Sequence, residues 1–136
     1  MNIQIVDLDD DQTEDIGNRL EAYDKQHITY KLDGYIHIGA MIDGKIAGGI
    51  DACMTAFHIL YISTVYIDPE YRRKGIGRML MLELEKRAGI MGANMIRLDT
   101  FDWQGKDFYL SLGYEQIGYY HNESDGFSEY FFLKRI

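Results

Sequence analysis

Residues 65–78, VYIDPEYRRKGIGR, decide how this chain can fold. The stretch begins with the β-branched and aromatic residues that are typical of a strand, and it then turns at Pro69. Two glycines, Gly75 and Gly77, come next, and apolar residues recur at helical spacing from Ile76 onward. The stretch therefore predicts a strand, a turn, and a helix that begins at a glycine, as in α/β proteins.

The turn before this helix is a candidate anion site. Glycines have no Cβ, so the backbone amides around them can approach a ligand closely. The first turn of a helix has unpaired N–H groups and the positive end of the helix dipole, both of which suit phosphate. Four basic side chains lie in or beside the turn, although the net charge of the chain is −8. A pyrophosphate is the ligand that this arrangement favours.

Two well-known phosphate loops are excluded by the residues that follow. A Walker loop needs Lys and then Ser or Thr after its last glycine, and here Gly77 is followed by Arg78 and Met79. The dinucleotide-binding fingerprint needs a third glycine three residues after Gly77, and Leu80 stands there.

The rest of the chain predicts a mixed sheet with helices on its faces, in the order βα-βββ-αβ-αββ, in a single domain over residues 1–136. Asp43 and Gly44 indicate a hairpin, Asp10 or Asp11 is expected to cap the first helix, and Gly92 is expected to end the second. The strands are expected at residues 2–6, 35–42, 45–54, 57–67, 95–101, 114–120 and 127–134, and the helices after residue 11, at 75–92 and at 104–112.

Composition narrows the classes of function. The 136 residues are 46% hydrophobic and 26% charged, which is ordinary for a globular chain. A single cysteine excludes an internal disulfide framework and a multi-cysteine zinc site. The acidic N-terminal residues do not resemble a signal peptide, and no apolar run reaches the ~20 residues of a membrane span. We therefore predict a cytoplasmic protein with no nucleic-acid or membrane partner and an acidic surface that attracts cationic partners.

Three segments together resemble the GCN5-related N-acetyltransferase (GNAT) family. RRKGIG at residues 72–77 is similar to its R/Q-x-x-G-x-G/A motif, and VYIDPEY at 65–71 resembles the strand that precedes that motif. FYLSLGY at 108–114 resembles the family's F-Y-x-x-x-G-F/Y segment. The resemblance implies a GNAT-like acyl-CoA N-acyltransferase fold with splayed central strands, acetyl-CoA as co-substrate and no metal.

The resemblance also implies roles for particular residues. Tyr109 matches the Tyr that protonates the departing thiolate, and a phenol can do so because its pKa, about 10, is near that of a thiol, about 8.5. Two positions depart from the family's pattern: Asp102 stands where Asn is common, and Gly105 where Ala is common. The residues expected to bind the cofactor are Val65, Tyr66 and Ile67 along the pantetheine arm, Arg72, Arg73, Lys74, Gly75, Ile76, Gly77 and Arg78 around the pyrophosphate, and Asp102.

The implied activity is acetyl transfer from acetyl-CoA to a primary amine, either a small amine or a protein amine, by direct attack in a ternary complex. Some family members have a Glu base where this chain has Tyr61, so Asp51, Asp99, Ser63 through a water, or no side chain at all remain open as the base. Tyr30 and Trp103, with Tyr61, are candidates to line the acceptor pocket. The alternatives are a noncatalytic acyl-CoA-binding or regulatory domain and a nucleotide-binding protein that uses the same loop. By analogy with the family, the chain can form a homodimer.

Overall fold

The computed structural model describes all 136 residues and divides them into two compact units, Met1–Tyr30 and Lys31–Ile136. The single domain expected over residues 1–136 stays a prediction. No helix in the chain is both long enough and apolar enough to cross a membrane.

The first unit is built on one helix, α1 (Asp10–Asp24). The helix starts with a capping box: the Asp9 carboxylate accepts from the N–H of Gln12 (2.8 Å), and the Gln12 side chain accepts from the N–H of Asp9 (3.1 Å). The expectation that Asp10 or Asp11 caps the helix is wrong, because both lie in its first turn. No strand forms at residues 2–6, since they have no partner for a hydrogen-bonded ladder, and the observed order begins with the helix.

The second unit contains a six-stranded mixed sheet in the order β1-β2-β3-β4-β6-β5. Only the β3–β4 pair is parallel, as expected for two strands joined by a helix. The elements are β1 (Tyr35–Ile42), β2 (Lys45–Met54), β3 (Ile59–Ile67), a 3-10 turn (Pro69–Tyr71), α2 (Ile76–Met91), β4 (Met95–Phe101), α3 (Lys106–Ser111), β5 (Glu115–Asn122) and β6 (Phe127–Arg135).

Glycines fix several boundaries where the sequence predicts them. Asp43 (φ 51°) and Gly44 (φ 77°) form the expected hairpin turn between β1 and β2. Gly92 ends α2 in the left-handed conformation (φ 99°), as predicted. Two elements are shorter than expected: β3 starts after Phe57, which has a positive φ of 55°, and α3 starts after Gly105, which has φ 103°.

The hydrophobic core lies on one face of the sheet, and both α2 and α3 pack on that face. Leu84 on α2 and Tyr109 on α3 belong to the same buried cluster as Phe132 on β6. The other face carries polar side chains that alternate with the core residues along each strand. We call it the polar face; on the two central strands it includes Tyr61, Thr64, Arg97 and Asp99.

The two parallel strands separate partway along their length. Their pairing ends at Ile62 and Leu98, whereas β3 continues to Ile67 and β4 to Phe101. A bulge explains the separation: on β3, Ser63 has no register partner on β2, and an extra residue of this kind bends a strand. The splay that the family resemblance implies is confirmed.

Candidate functional site

Residues 71–78, which we call the glycine loop, join β3 to α2 with an unusual backbone. Arg73 and Gly75 both have positive φ, 62° and 81°. Gly75 is the N-cap of α2 and has no side chain to cap it. The first backbone bond of the helix joins the N–H of Met79 to the carbonyl of Gly75 (3.0 Å), so the three preceding amides have no backbone acceptor. Such a helix start can bind an anion.

A cavity of about 790 Å³ lies where β3 leaves β4, between the glycine loop and α3. Its size is within the usual range for a ligand pocket. Most of the residues predicted from the sequence line it: Val65, Tyr66, Ile67, Arg72, Arg73, Gly75, Ile76, Gly77, Arg78 and Tyr109.

Two predicted residues lie outside this lining. The ammonium of Lys74 is 5.7 Å from the centre of the Tyr71 ring. Asp102 is engaged with β6, because its carboxylate accepts from the N–H of Ser128 (3.0 Å) and its own N–H donates to the Ser128 carbonyl (3.1 Å). These contacts give Asp102 a structural role at the end of β4, and its part in cofactor binding stays a prediction.

Other residues also line the cavity: Trp103 was expected at the acceptor pocket, and the rest were not predicted from the sequence. Trp103 stacks on Phe101 with ring centres 4.7 Å apart, and Gln104 accepts from the N–H of Phe101 (2.8 Å). The turn-forming residues between β4 and α3 are the feature of the sequence that could have indicated this side of the cavity. Gly105 in that segment has the left-handed conformation. The additional lining residues are Tyr71, Trp103, Gln104, Gly105, Phe108, Ser111 and Leu112.

Arg72 connects the glycine loop to the end of β3. Its Nε donates to the carbonyl of Ile67 (2.8 Å), and its guanidinium lies 5.6 Å from the centre of the Tyr66 ring. The side chain therefore holds the loop against the strand in addition to placing a positive charge beside the cavity.

Tyr109 is buried at 6% exposure in an aromatic cluster. Its ring lies 5.2 Å from that of Phe108, 5.8 Å from Phe132 and 6.0 Å from Tyr114. Tyr109 lines the cavity from α3. Burial raises the pKa of Tyr109 to about 12, so the phenol keeps its proton at neutral pH.

The polar face holds the groups that the sequence leaves open as bases. The Tyr61 hydroxyl donates to Oδ2 of Asp99 (2.9 Å), and the Arg97 guanidinium lies 4.5 Å from the centre of the Tyr61 ring. Burial, followed by the bond to Asp99, raises the pKa of Tyr61. One strand further away, Nε2 of His37 is 3.0 Å from Oδ1 of Asp51. Tyr61 and Asp99 thus form a pair at the splay, on the opposite face from Tyr109.

The chain is similar to known N-acetyltransferases in sequence. It is 31% identical over 75 residues to thialysine N-epsilon-acetyltransferase of Sus scrofa, a match that covers 54% of this chain and 42% of that enzyme. The Bos taurus enzyme of the same name is 32% identical over 60 residues, which cover 43% of this chain and 35% of that enzyme. The chain therefore matches less than half the length of these curated relatives.

Solved structures share the fold. An acetyltransferase from Bacillus cereus ATCC 14579 matches with a TM-score of 0.90 and 28% identity, covering 98% of each chain. PaiA N-acetyltransferase from Thermoplasma acidophilum, in complex with coenzyme A, matches with a TM-score of 0.63 over 88% of this chain and 70% of that one. Its identity of 22% supports the fold alone.

The comparison with family profiles covers most of the chain, including the strands and the loop that border the cavity. Residues 2–114 match the profile of the acetyltransferase (GNAT) family. The match includes the glycine loop, both splayed strands and the segment at 108–114, so the resemblance drawn from those motifs is confirmed. The chain belongs to the acetyltransferase (GNAT) family.

Proposed function

We propose that this protein is an acetyl-CoA-dependent N-acetyltransferase that moves an acetyl group to a primary amine by direct attack in a ternary complex. The observation that carries the proposal is the cavity at the splay, because it joins the free amides at the start of α2 to a protonated phenol on α3. Family membership supports the reaction class.

The residues around the cavity fit acetyl-CoA. A Cβ on Gly75 would meet no atom within 4 Å, so the loop leaves space in front of its free amides. Arg72, Arg73 and Arg78 place positive charge around that space, which suits a pyrophosphate. Beyond its last pair with β4, β3 has an edge that β4 does not cover, and an extended pantetheine arm can pair with it.

The acetyl-CoA thioester supplies an activated acetyl group when it is bound there. Tyr109 holds a proton at the wall of the cavity and is the proposed general acid for the departing sulfur. Its pKa of about 12 means that it is fully protonated near pH 7. Because the ring is packed among aromatic side chains, the hydroxyl has a fixed position.

The proposed acceptor is an alkyl primary amine that is positively charged in solution. The net charge of −8 favours a cationic acceptor. The matched relatives of Sus scrofa and Bos taurus are named for acetylation of thialysine at its ε nitrogen, and this supports an aminoalkyl group as the acceptor.

A thiol-release assay tests the proposal. The purified protein is incubated with acetyl-CoA and each member of a panel of alkyl diamines, lysine analogues and aminoglycosides, while free thiol and the acetylated product are measured. We expect amine-dependent thiol release with stoichiometric product. Tight coenzyme A binding by calorimetry with no thiol release for any amine would instead indicate a noncatalytic acyl-CoA-binding domain, and displacement of coenzyme A by ATP at equal concentration would indicate a nucleotide site.

A further inference from the structure

We propose that Asp99 is the general base of this site, and that Tyr61 is the residue that positions it. The inference rests on the proposed function. It selects one group from the alternatives that the sequence leaves open, which include Asp51 and Ser63.

Asp99 occupies the point where the two central strands part. The last pair between β3 and β4 joins Ile62 to Leu98, so Asp99 is the first residue of β4 beyond the pairing. The buried residues Leu98 and Thr100 on either side of it face the core, so Asp99 faces the polar side. Its carboxylate therefore lies at the apex of the splay.

The polar face is also the side from which an acceptor can approach. On the other face, α3 walls the cavity with Phe108, Tyr109 and Leu112, and the latter two are buried in the core. The proposed route of the amine is along this face, beside Asp99, opposite Tyr109. This arrangement separates the proposed acid and base onto the two faces of one sheet.

The contacts of Asp99 leave it able to accept a proton. Tyr61 donates to Oδ2 (2.9 Å), and no protein group donates to Oδ1. Arg97, which lies against the ring of Tyr61, restrains that ring. The other titratable groups that face Asp99 are Glu129 on β6 and Tyr120 on β5, and the Tyr120 hydroxyl donates to the Glu129 carboxylate.

The rival groups are engaged or further from the splay. Asp51 is on β2, so β3 lies between it and the splay, and its Oδ1 is paired with His37 (3.0 Å). The Ser63 hydroxyl donates to the carbonyl of Asp51 (3.0 Å). Glu129 is on β6, on the far side of β4 from the splay. Asp99 is the carboxylate on a strand that borders the opening.

The proton balance of the step is simple. The acceptor ammonium gives one proton to Oδ1 of Asp99, so an N–H bond breaks and an O–H bond forms, and the nitrogen keeps its electron pair for attack on the thioester carbonyl. Tyr109 protonates the sulfur as the C–S bond breaks, and it regains a proton from the acylated nitrogen through water. Asp99 is exposed and passes its proton to solvent. The sum is an amide, a thiol and one free proton.

The test compares Asp99→Asn with wild type on two kinds of acceptor at pH 7. One is an alkylammonium that must lose a proton, and the other is an amine of low basicity that is already neutral. We expect kcat/KM for the alkylammonium to fall about 100-fold, the lower end of the usual contribution of a general base, and kcat/KM for the neutral amine to fall less than about 10-fold. The rate of the Asp99→Asn enzyme with the alkylammonium should also rise with pH, because hydroxide in solution then deprotonates the amine.

Three variants complete the design. Asp43→Asn, a carboxylate-to-amide change in the hairpin turn that also suits a positive φ, should leave all rates unchanged. Tyr61→Phe should lower kcat a few-fold with little change in KM. Coenzyme A affinity, measured by calorimetry, should be the same in every variant, which shows that each one is folded.

Several outcomes would overturn the proposal. The first is an Asp99→Asn enzyme whose kcat/KM is unchanged with both acceptors. The second is an equal loss of kcat/KM with both acceptors. The third is a loss confined to the alkylammonium in Asp51→Asn and absent from Asp99→Asn. If the wild-type protein itself releases no thiol with any amine, the proposed function fails and the base assignment fails with it. If the wild-type protein acetylates an amine and Asp99→Asn does so at the same rate, only the assignment of Asp99 as the base fails.

Discussion

The glycine loop and the polar-face pair of Tyr61 and Asp99 border the same splay, but they are built in opposite ways. The loop is eight consecutive residues, and what it offers a ligand is mostly backbone N–H groups held by two positive-φ residues. The pair joins side chains 38 residues apart in sequence, and its hydrogen bond depends on the register of two parallel strands.

Because of this difference, we expect the loop to determine cofactor binding and the polar face to determine transfer to the acceptor. Backbone N–H groups remain in place when side chains are substituted, so the loop can bind the same cofactor in proteins that acetylate different acceptors. Side chains on neighbouring strands can change without altering the loop, so the acceptor side can vary independently. We therefore expect substitutions in the loop to change coenzyme A affinity, and substitutions on the polar face to change the rate of acetyl transfer at constant affinity.

The largest expected effect is on the loop side, from Gly75→Glu. The new side chain has space, since no atom lies within 4 Å of a Cβ at this position, but it places a carboxylate among the free amides of α2. It also forces a non-glycine residue to hold φ 81°. We expect coenzyme A to bind at least about 100-fold more weakly, which is about 2.7 kcal/mol, as measured by calorimetry.

Gly75→Asn is the matched control, because Asn tolerates a left-handed backbone and adds no charge. Its affinity should stay within about threefold of wild type. A Gly75→Glu protein with normal affinity would mean that the phosphates bind elsewhere, and the contrast between loop and polar face would lose its first half.

A smaller effect is expected from Tyr109→Phe, which keeps the packed ring and removes only the hydroxyl. Because a thiolate is a good leaving group, with a pKa of about 8.5, the loss in kcat should be about 10- to 100-fold, at the low end for a general acid. Acetyl-CoA affinity should stay within about twofold. Since the pKa of Tyr109 is about 12, the wild-type rate should show no fall from Tyr109 ionisation below about pH 10. An unchanged kcat at saturation would remove the proposed acid.

The same contrast explains what the sequence could predict. The glycine loop, β2, β4 and the end of α2 at Gly92 depend on local patterns, and the structure has them where those patterns put them. Most of the predicted cofactor residues line the cavity because they belong to one contiguous segment. The loop could therefore be predicted before any strand was paired.

The remaining features depend on contacts between distant segments. The pairing of Tyr61 with Asp99 requires the β3–β4 register, and the bulge at Ser63 requires the β2–β3 register; neither has a local signature. Asp102 matches a family position in sequence, yet its carboxylate accepts from Ser128 on β6. The strand expected at residues 2–6 illustrates the same limit, since alternating apolar residues do not form a strand without a neighbour.

The smallest expected effects come from two glycines of α2, and they test whether the loop side acts through packing as well as through free amides. A Cβ on Gly77 would lie 3.1 Å from Cζ of Phe108, which lines the cavity, whereas a Cβ on Gly89 would meet nothing within 4 Å. We expect Gly77→Ala to displace the Phe108 ring and weaken coenzyme A binding about threefold to fivefold. Gly89→Ala should leave binding unchanged and raise the free energy of unfolding by about 0.5–1 kcal/mol, the usual gain of Ala over Gly within a helix. If the two variants bind coenzyme A with equal affinity, the position of the Phe108 ring does not affect cofactor binding. The loop would then bind the cofactor through its backbone amides and not through packing.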